Sequence, residues 1–452
     1  MRPPRAARPF SVGVNYWPRR SGAAMWRRFD AGEIAEDFAR IAALGFDTVR
    51  VFVRWDDFQP APDGADPTML DRLARLVALA SDRGLATMPV LFSGHLNGIN
   101  YLPAWAIDER VPAGRFRTIV GDRLSPFGAG DLYRGPLLEA ALVFARAAGE
   151  RLRDAGTGSG ARPALVAWDL GNAFDRVREL SHVKRSTGEH SSEPADERVV
   201  ADWARRLTRA LHAASGRPST AGTFFEDLTR DRAVRFGTLC APFTFASMQG
   251  DTVNLPFARG RLDPEAVPFL AMLTAGFSHL PVMVTGFGNP TCPGDKFSAF
   301  ERFALPEEPP NVTISPVDTA FATYPCLTEH ELARYATEVL KRLHADGRLG
   351  AFWWCWSDAA EERHAEPPLD REPHLATYGL VRADGSEKPV AAALSAFARE
   401  RREVTEPRDM TAIASAYYFR TLPTSTKTLY DAFLRFVAER RTIVAPRRTE
   451  SP

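Results

Sequence analysis

The chain has 452 residues, with 57 Lys and Arg against 56 Asp and Glu, and carries a formal net charge of +1. Basic and acidic residues are interspersed, which excludes the one-sided basic face that a phosphate backbone demands, so no nucleic-acid partner is expected. A composition of 45% hydrophobic, 10% aromatic and 25% charged residues is that of a globular protein.

The one basic cluster is the tail from Arg440 to Arg448. Apolar stretches such as Val267 to Phe277 stop short of the ~18 residues that a membrane span needs, so no membrane partner is expected. Residues 1–10 hold Arg2, Arg5 and Arg8 without an apolar core, and are read as a flexible segment rather than a secretory leader. A cytoplasmic location follows as an expectation. Cys240, Cys292, Cys326 and Cys355 show no metal-ligand spacing and are expected to be free thiols; only Cys292 and Cys326 share a predicted loop, and a disulfide there has no support.

In chain order, short β-rich runs alternate with helical patterns. A strand over Ser11 to Tyr16 is followed by a helix to Leu44, with Asp30 as its cap, Glu33 as capping-box partner and Gly45 as its stop. A strand over Thr48 to Val53, a helix from Pro67 to Arg83 and a strand over Leu85 to Phe92 come next. After a long loop the spacing predicts a helix near Pro136 to Asp154, a strand over Ala164 to Leu170, and a helix from Pro194 to Ala214. Further strands are expected over Thr220 to Phe225, Phe243 to Met248, Val282 to Thr285 and Gly350 to Trp356, the last preceded by a helix over Leu327 to Ala345. Eight such strands close into a (β/α)8 TIM barrel over residues 11–400, with long loops 93–134, 171–193 and 286–326 at the C-terminal strand ends, where active sites of this fold lie. Residues 401–452 form a C-terminal extension with a helix near Thr426 to Arg440, expected to pack outside the barrel, and the last residues are expected to be disordered.

Four stretches carry a family resemblance. They are Trp168-Asp169-Leu170-Gly171-Asn172-Ala173-Phe174-Asp175, Pro281 to Gly288, Gly350 to Asp358, and Tyr378 to Ser386. Together they resemble the clan A glycoside hydrolases, closest to the cellulase and mannanase relatives of glycoside hydrolase family 5. The resemblance implies a retaining mechanism, in which one carboxyl group protonates the leaving oxygen and another attacks the anomeric carbon. It places the acid/base Glu at Ala173 and the nucleophile Glu at Gly286, so both carboxylates are missing. Neither a methyl nor a hydrogen transfers a proton, and losing the acid alone forfeits about 3–5 kcal/mol of barrier lowering. The relatives also carry His where Ser247-Met248-Gln249-Gly250 stands, and a polar residue near Phe224. These further departures point to natural divergence rather than an engineered pair of substitutions.

What remains suits a sugar. Trp353 and Trp354 offer an aromatic face to a pyranose, with only one of them turned inward by alternation. Arg50 has lost the carboxylate that it braces in the clan, and needs another anion from a side chain or a ligand. By resemblance His95 and Asn97 lie in a subsite loop and Asn172 reaches a sugar hydroxyl, while Asn15, Tyr16 and Trp17 close the ring, and Gln249 and Asp251 line it after strand six. Each has a plainer reading in packing, ion pairing or loop hydrogen bonds, and Asp169 is expected to bond backbone groups at its strand end. Asp175, Glu226 and Asp358 are candidate relocated carboxylates, although a capping or solvated acid is the simpler reading of each. The acidic stretch from Glu189 to Glu193 reads as a solvated loop. No cofactor and no metal are expected.

The leading expectation is a barrel that binds a carbohydrate or glycoside without retaining hydrolysis. The rivals are an active hydrolase, transglycosylase or divergent biosynthetic enzyme that uses relocated acids, and a scaffold barrel that binds a partner.

Overall fold

A computed structural model describes residues 8–154, 164–178, 194–232, 234–291, 327–407 and 415–444. Eight parallel strands close into a barrel: β1 (Ser11–Tyr16), β2 (Thr48–Phe52), β3 (Ala86–Val90), β4 (Trp168–Asn172), β5 (Ser219–Phe224), β6 (Ala246–Gln249), β7 (Val282–Phe287) and β8 (Gly350–Trp353). Closure is in register from Ser11 against Gly350 to Val14 against Trp353, where β1 meets β8. The expected (β/α)8 architecture is therefore present.

Helices wrap the strands as the sequence pattern demands. Helix α1 (Ala31–Ala43) starts at Asp30, whose side chain accepts from the Gly32 and Glu33 N–H groups, and stops before Gly45 at φ +85°. Helices α2 (Pro67–Ser81), α3 (Gly135–Arg151) and α4 (Pro194–Ser215) follow. Next comes α5 (Ala266–Ser278), which the sequence reading took only as an apolar run. Every residue of α5 except Gly276 is buried, so its all-round hydrophobicity hides the 3.6-residue period that marks a surface helix. The cover on its outer side comes from the C-terminal helix α8 (Thr424–Val444), where the rings of Tyr430 and Phe433 lie 5.0 and 5.5 Å from that of Phe269. Between them, α6 (Glu329–Ala345) carries a full capping box of Thr328 with Glu331, and α7 (Pro389–Arg399) completes the wall.

Several expected elements are shifted: β6 begins at Ala246 rather than Phe243, and β8 ends at Trp353 rather than Trp356. Strand β4 begins at Trp168 rather than Ala164, because Leu165 makes only an isolated bridge to Thr87 and Val166 stands 37% exposed. The segment 93–134 is more than a loop: His95–Leu96 and Ile99–Tyr101 form a hairpin whose turn residues Asn97 and Gly98 both have positive φ. Strands Arg117–Val120 and Arg123–Ser125 extend that sheet, and Ile107–Pro112 pairs with Phe127–Ala129. Cys240 and Cys355 are free and buried. Cys292, Cys326, the stretch Glu189 to Glu193 and the basic tail beyond Val444 lie outside the described residues. Among the described residues no helix is long and apolar enough to cross a membrane.

Candidate functional site

At the C-terminal strand ends of the barrel lies one buried polar network. Arg50, on β2, has no solvent exposure, and its Nε and Nη2 donate to Asp169 Oδ2 at 3.0 and 2.8 Å. Its Nη1 also reaches Asn15 Oδ1 at 2.8 Å, and both Nη atoms reach Asn172 Oδ1 at 3.2–3.3 Å. The anion that Arg50 was expected to need is thus Asp169. The other Asp169 oxygen accepts from the Gly171 and Gly222 N–H groups, so the carboxylate does bond the backbone at its strand end. Gly222 is required there, since a Cβ would stand 2.4 Å from Gly171 O and 3.0 Å from Arg50 Nη2.

The amides of this network are used on both sides. Asn15 Nδ2 donates to the carbonyls of Thr285 and Trp353, tying β1 to β7 and β8, and Asn172 Nδ2 donates to the His95 carbonyl. The His95 ring meets Asn100 Oδ1 at 2.8 Å and packs on Phe116. Burial, helped by the nearby Arg176 charge, pulls its pKa down to about 3 and keeps it neutral. Asn97 is half-buried at the hairpin tip.

Ala173 and Gly286 stand at the ends of β4 and β7. Ala173 is held in the left-handed region at φ +44°, ψ +53°, with its N–H donating to Gly222 O at 2.8 Å. A Cβ on Gly286 would lie 3.1 Å from Gln249 Oε1 and 3.2 Å from Gln249 Cγ, so the Gln249 amide side chain lies over this glycine. Gln249 is 3% exposed, and among the described residues its buried Nε2 has no hydrogen-bond partner.

Period-two alternation sorts the remaining aromatics. Trp353 is fully buried, donates its Nε1 hydrogen to Tyr378 O and packs against Phe287. Trp354 is half-buried and meets Trp17 and Phe52 edge-on at 5.1 and 5.5 Å. Tyr16 turns the other way, onto α1, where its hydroxyl bonds Asp37 and its ring packs on Phe38. It is therefore not part of the mouth, because Asn15 takes the inward position on β1.

Each relocated carboxylate candidate has a cation. Asp175 takes Arg232 Nε at 2.5 Å. Asp358 pairs with Lys388 Nζ at 2.8 Å and accepts the Gly379 N–H. Glu226 faces Arg176, Arg115, Arg232 and Arg230 at 2.9, 3.1, 3.4 and 3.9 Å. Burial alone would raise the Glu226 carboxyl, but these four guanidinium groups outweigh it and hold the pKa at about 2. Asp251 differs from these three: it accepts from the Tyr378 hydroxyl at 2.9 Å and from Asn254, and burial pushes its carboxyl up. Sequence reasoning missed Arg115, Arg176, Arg230 and Arg232. Their only sequence signal is that each falls in a segment following β3, β4 or β5.

No protein-family model and no curated protein matches the chain. Among solved structures it is similar to the exo-beta-1,4-mannosidase Op5Man5 from Opitutaceae bacterium strain TAV5, with 24% identity over 89% of this chain and a TM-score of 0.64. It spans 61% of that protein. A GH5_18 protein from Streptomyces cattleya in complex with GlcNAc shares 21% identity, with 96% of this chain and 92% of that one covered and a TM-score of 0.71. GH5_18 from Bifidobacterium longum subsp. longum ATCC 55813 shares 18%, with 88% and 81% covered and a TM-score of 0.64. The fold of this chain is accordingly the (β/α)8 barrel seen in the GH5_18 structures.

Proposed function

We propose that this barrel binds a carbohydrate or glycoside at its C-terminal mouth and does not perform retaining hydrolysis. The observation that carries the reading is the pair of strand ends where the resemblance places catalytic Glu. One ends in the Ala173 methyl and the other in Gly286, roofed by the neutral amide of Gln249. Retaining chemistry needs a proton donor and a carboxylate about 5–5.5 Å apart. The acids nearest the mouth are poor substitutes, because Asp169, Asp175, Glu226 and Asp358 are each held by a cation.

Binding is supported by two features. The half-buried Trp354 ring offers an apolar edge for a sugar ring. Two solved relatives hold GlcNAc and Manb1-4GlcNAc. Titration calorimetry with mannose, GlcNAc and Manβ1-4GlcNAc, run beside an aryl-glycoside hydrolysis assay, tests the reading. Heat of binding without turnover is expected; turnover that survives in the absence of any added enzyme contaminant would refute it.

One observation favours an enzymatic alternative. Among the described residues Asp251 has no ion-pair partner, and burial raises its carboxyl against the lowering effect of the hydrogen bonds it accepts from Tyr378 and Asn254. Turnover lost in Asp251→Asn would establish that reading in place of the first.

A further inference from the structure

Four guanidinium groups share one carboxylate on one side of the mouth. Glu226 lies within 4 Å of Arg176, Arg115, Arg232 and Arg230, and Arg232 also engages Asp175. A carboxylate offers about four lone-pair sites, whereas the guanidinium groups of Arg115, Arg176 and Arg230 bring five N–H donors each, so among the described residues their donors outnumber the sites that Glu226 supplies. The third acid of the group, Asp227, is buried and accepts the Phe224 N–H; burial and the Asp175 charge push its carboxyl well up. A chain with 57 basic and 56 acidic residues therefore concentrates positive charge at this place.

The cluster is graded from floor to rim. Arg176 is 12% exposed, Arg115 31% and Arg230 54%, in contrast to Arg50, which is wholly buried and has its own carboxylate. Aromatic rings hold the inner members in place: Arg176 lies 4.1 Å from the Phe224 ring centre and 5.4 Å from that of Phe116, and Arg115 lies 5.0 Å from Phe116. A guanidinium fixed by its face presents its edge N–H groups in a planar fork that suits a carboxylate or phosphate. Arg176 is also three residues beyond Ala173, so the cationic edge borders the strand end where the methyl stands.

From this placement we infer that the mouth is specific for an anionic carbohydrate, one bearing a carboxylate or a phosphate, with Arg115 and Arg176 as the groups that select the anion. The inference rests on the carbohydrate reading proposed above. The sugar body faces the Trp17, Phe52 and Trp354 cluster on the β1, β2 and β8 side, while the anion meets the arginines over β3 to β5. Binding needs no bond to break, and the arginines stay charged throughout.

The test is calorimetric binding of four probes to the full chain: mannose, mannose 6-phosphate, glucuronate and inorganic phosphate alone, at low and moderate salt. Arg115→Gln is measured in parallel, with its circular dichroism and melting temperature checked against the parent. Because Arg115 is partly exposed, that variant is expected to fold. The expected result is that at least one anionic sugar binds tenfold or more tightly than mannose, weakens with salt, and loses about tenfold in Arg115→Gln. The phosphate and glucuronate arms decide between the two anions. Mannose binding as tightly as both anionic sugars, with no effect of Arg115→Gln, overturns the anion inference and leaves the carbohydrate reading standing. Inorganic phosphate binding in an Arg115-dependent way while no sugar binds overturns the carbohydrate reading alone. No binding by any probe overturns both.

Discussion

Arg50 and Arg176 lie on neighbouring parts of the same barrel mouth and meet opposite fates. Arg50 is enclosed, and every partner in its reach is aimed at it: one Asp169 oxygen, Asn15 and Asn172, with the second Asp169 oxygen fixed by two backbone N–H groups. Arg176 borders solvent, leans on two phenylalanine rings and divides Glu226 with three other arginines. A charge paired one to one inside a protein is part of the architecture, because breaking it strands its partner in low dielectric. A charge in surplus at a wet rim has donors left over and can serve a ligand. The sites differ in satisfaction, not in residue type.

Removing the carboxylate from each site should give unequal losses. Asp169→Asn leaves Arg50 buried without a counter-charge and is expected to cost about 3–5 kcal/mol in chemical denaturation. Glu226→Gln leaves guanidinium groups that water and Asp175 still reach, and is expected to cost only about 1–2 kcal/mol, part of it regained in sulfate. Equal losses would mean that the rim cluster is as structural as the floor, and would erase the distinction drawn here.

His95 joins the two regions, since its carbonyl holds Asn172 and its ring lies near Arg176. Its folded pKa of about 3 lies below the ordinary value of 6.5. Between those values the unfolded chain binds the extra proton, so stability contributed by neutral His95 is complete above pH 6.5 and is lost as the pH falls toward 3. His374 acts in the same sense, while Asp37 and Asp57, raised by burial to about 6, act in the opposite sense below pH 6. The difference between parent and His95→Gln isolates one of these contributions. Urea midpoints from pH 7 to pH 5 should show a slope shallower in the variant by up to about 1.4 kcal/mol per pH unit. Parallel slopes would show that the ring is not the titrating group.

The barrel was legible in the sequence because its signals are local. Strand β1 runs from Ser11 to Tyr16 as its alternation requires, and Asp30 caps α1 through neighbouring N–H groups. Arg50 announced by its place inside a barrel strand that it needed an anion, yet which anion depended on β4 lying across from it, a contact 119 residues away. The arginines at the rim were harder still. Residues 115, 176, 230 and 232 converge only when three different strand-end segments fold over one another, and in a chain of balanced charge nothing local sets them apart. Helix α5 escaped because a buried helix lacks the polar face that reveals its period.

The smallest expected effect concerns the strand end facing this contrast, where Gln249 fills the space above Gly286. Adding a methyl in Gly286→Ala crowds Gln249 Cγ and Oε1 at 3.2 and 3.1 Å, so the amide must give by a few tenths of an ångström. Crowding a packed interior costs about 1–3 kcal/mol, and the ~0.5–1 kcal/mol recovered by replacing a strand glycine offsets part of it, leaving a loss of about 1 kcal/mol. With Gln249→Ala already in place the crowding disappears and only the backbone gain remains. Gly286→Ala should then stabilise that background by about 0.5 kcal/mol, a reversal of sign that a double-mutant cycle in urea reads directly. If the sign stays the same, the space over Gly286 is closed by something other than Gln249, and the amide does not stand where the resemblance puts a carboxylate.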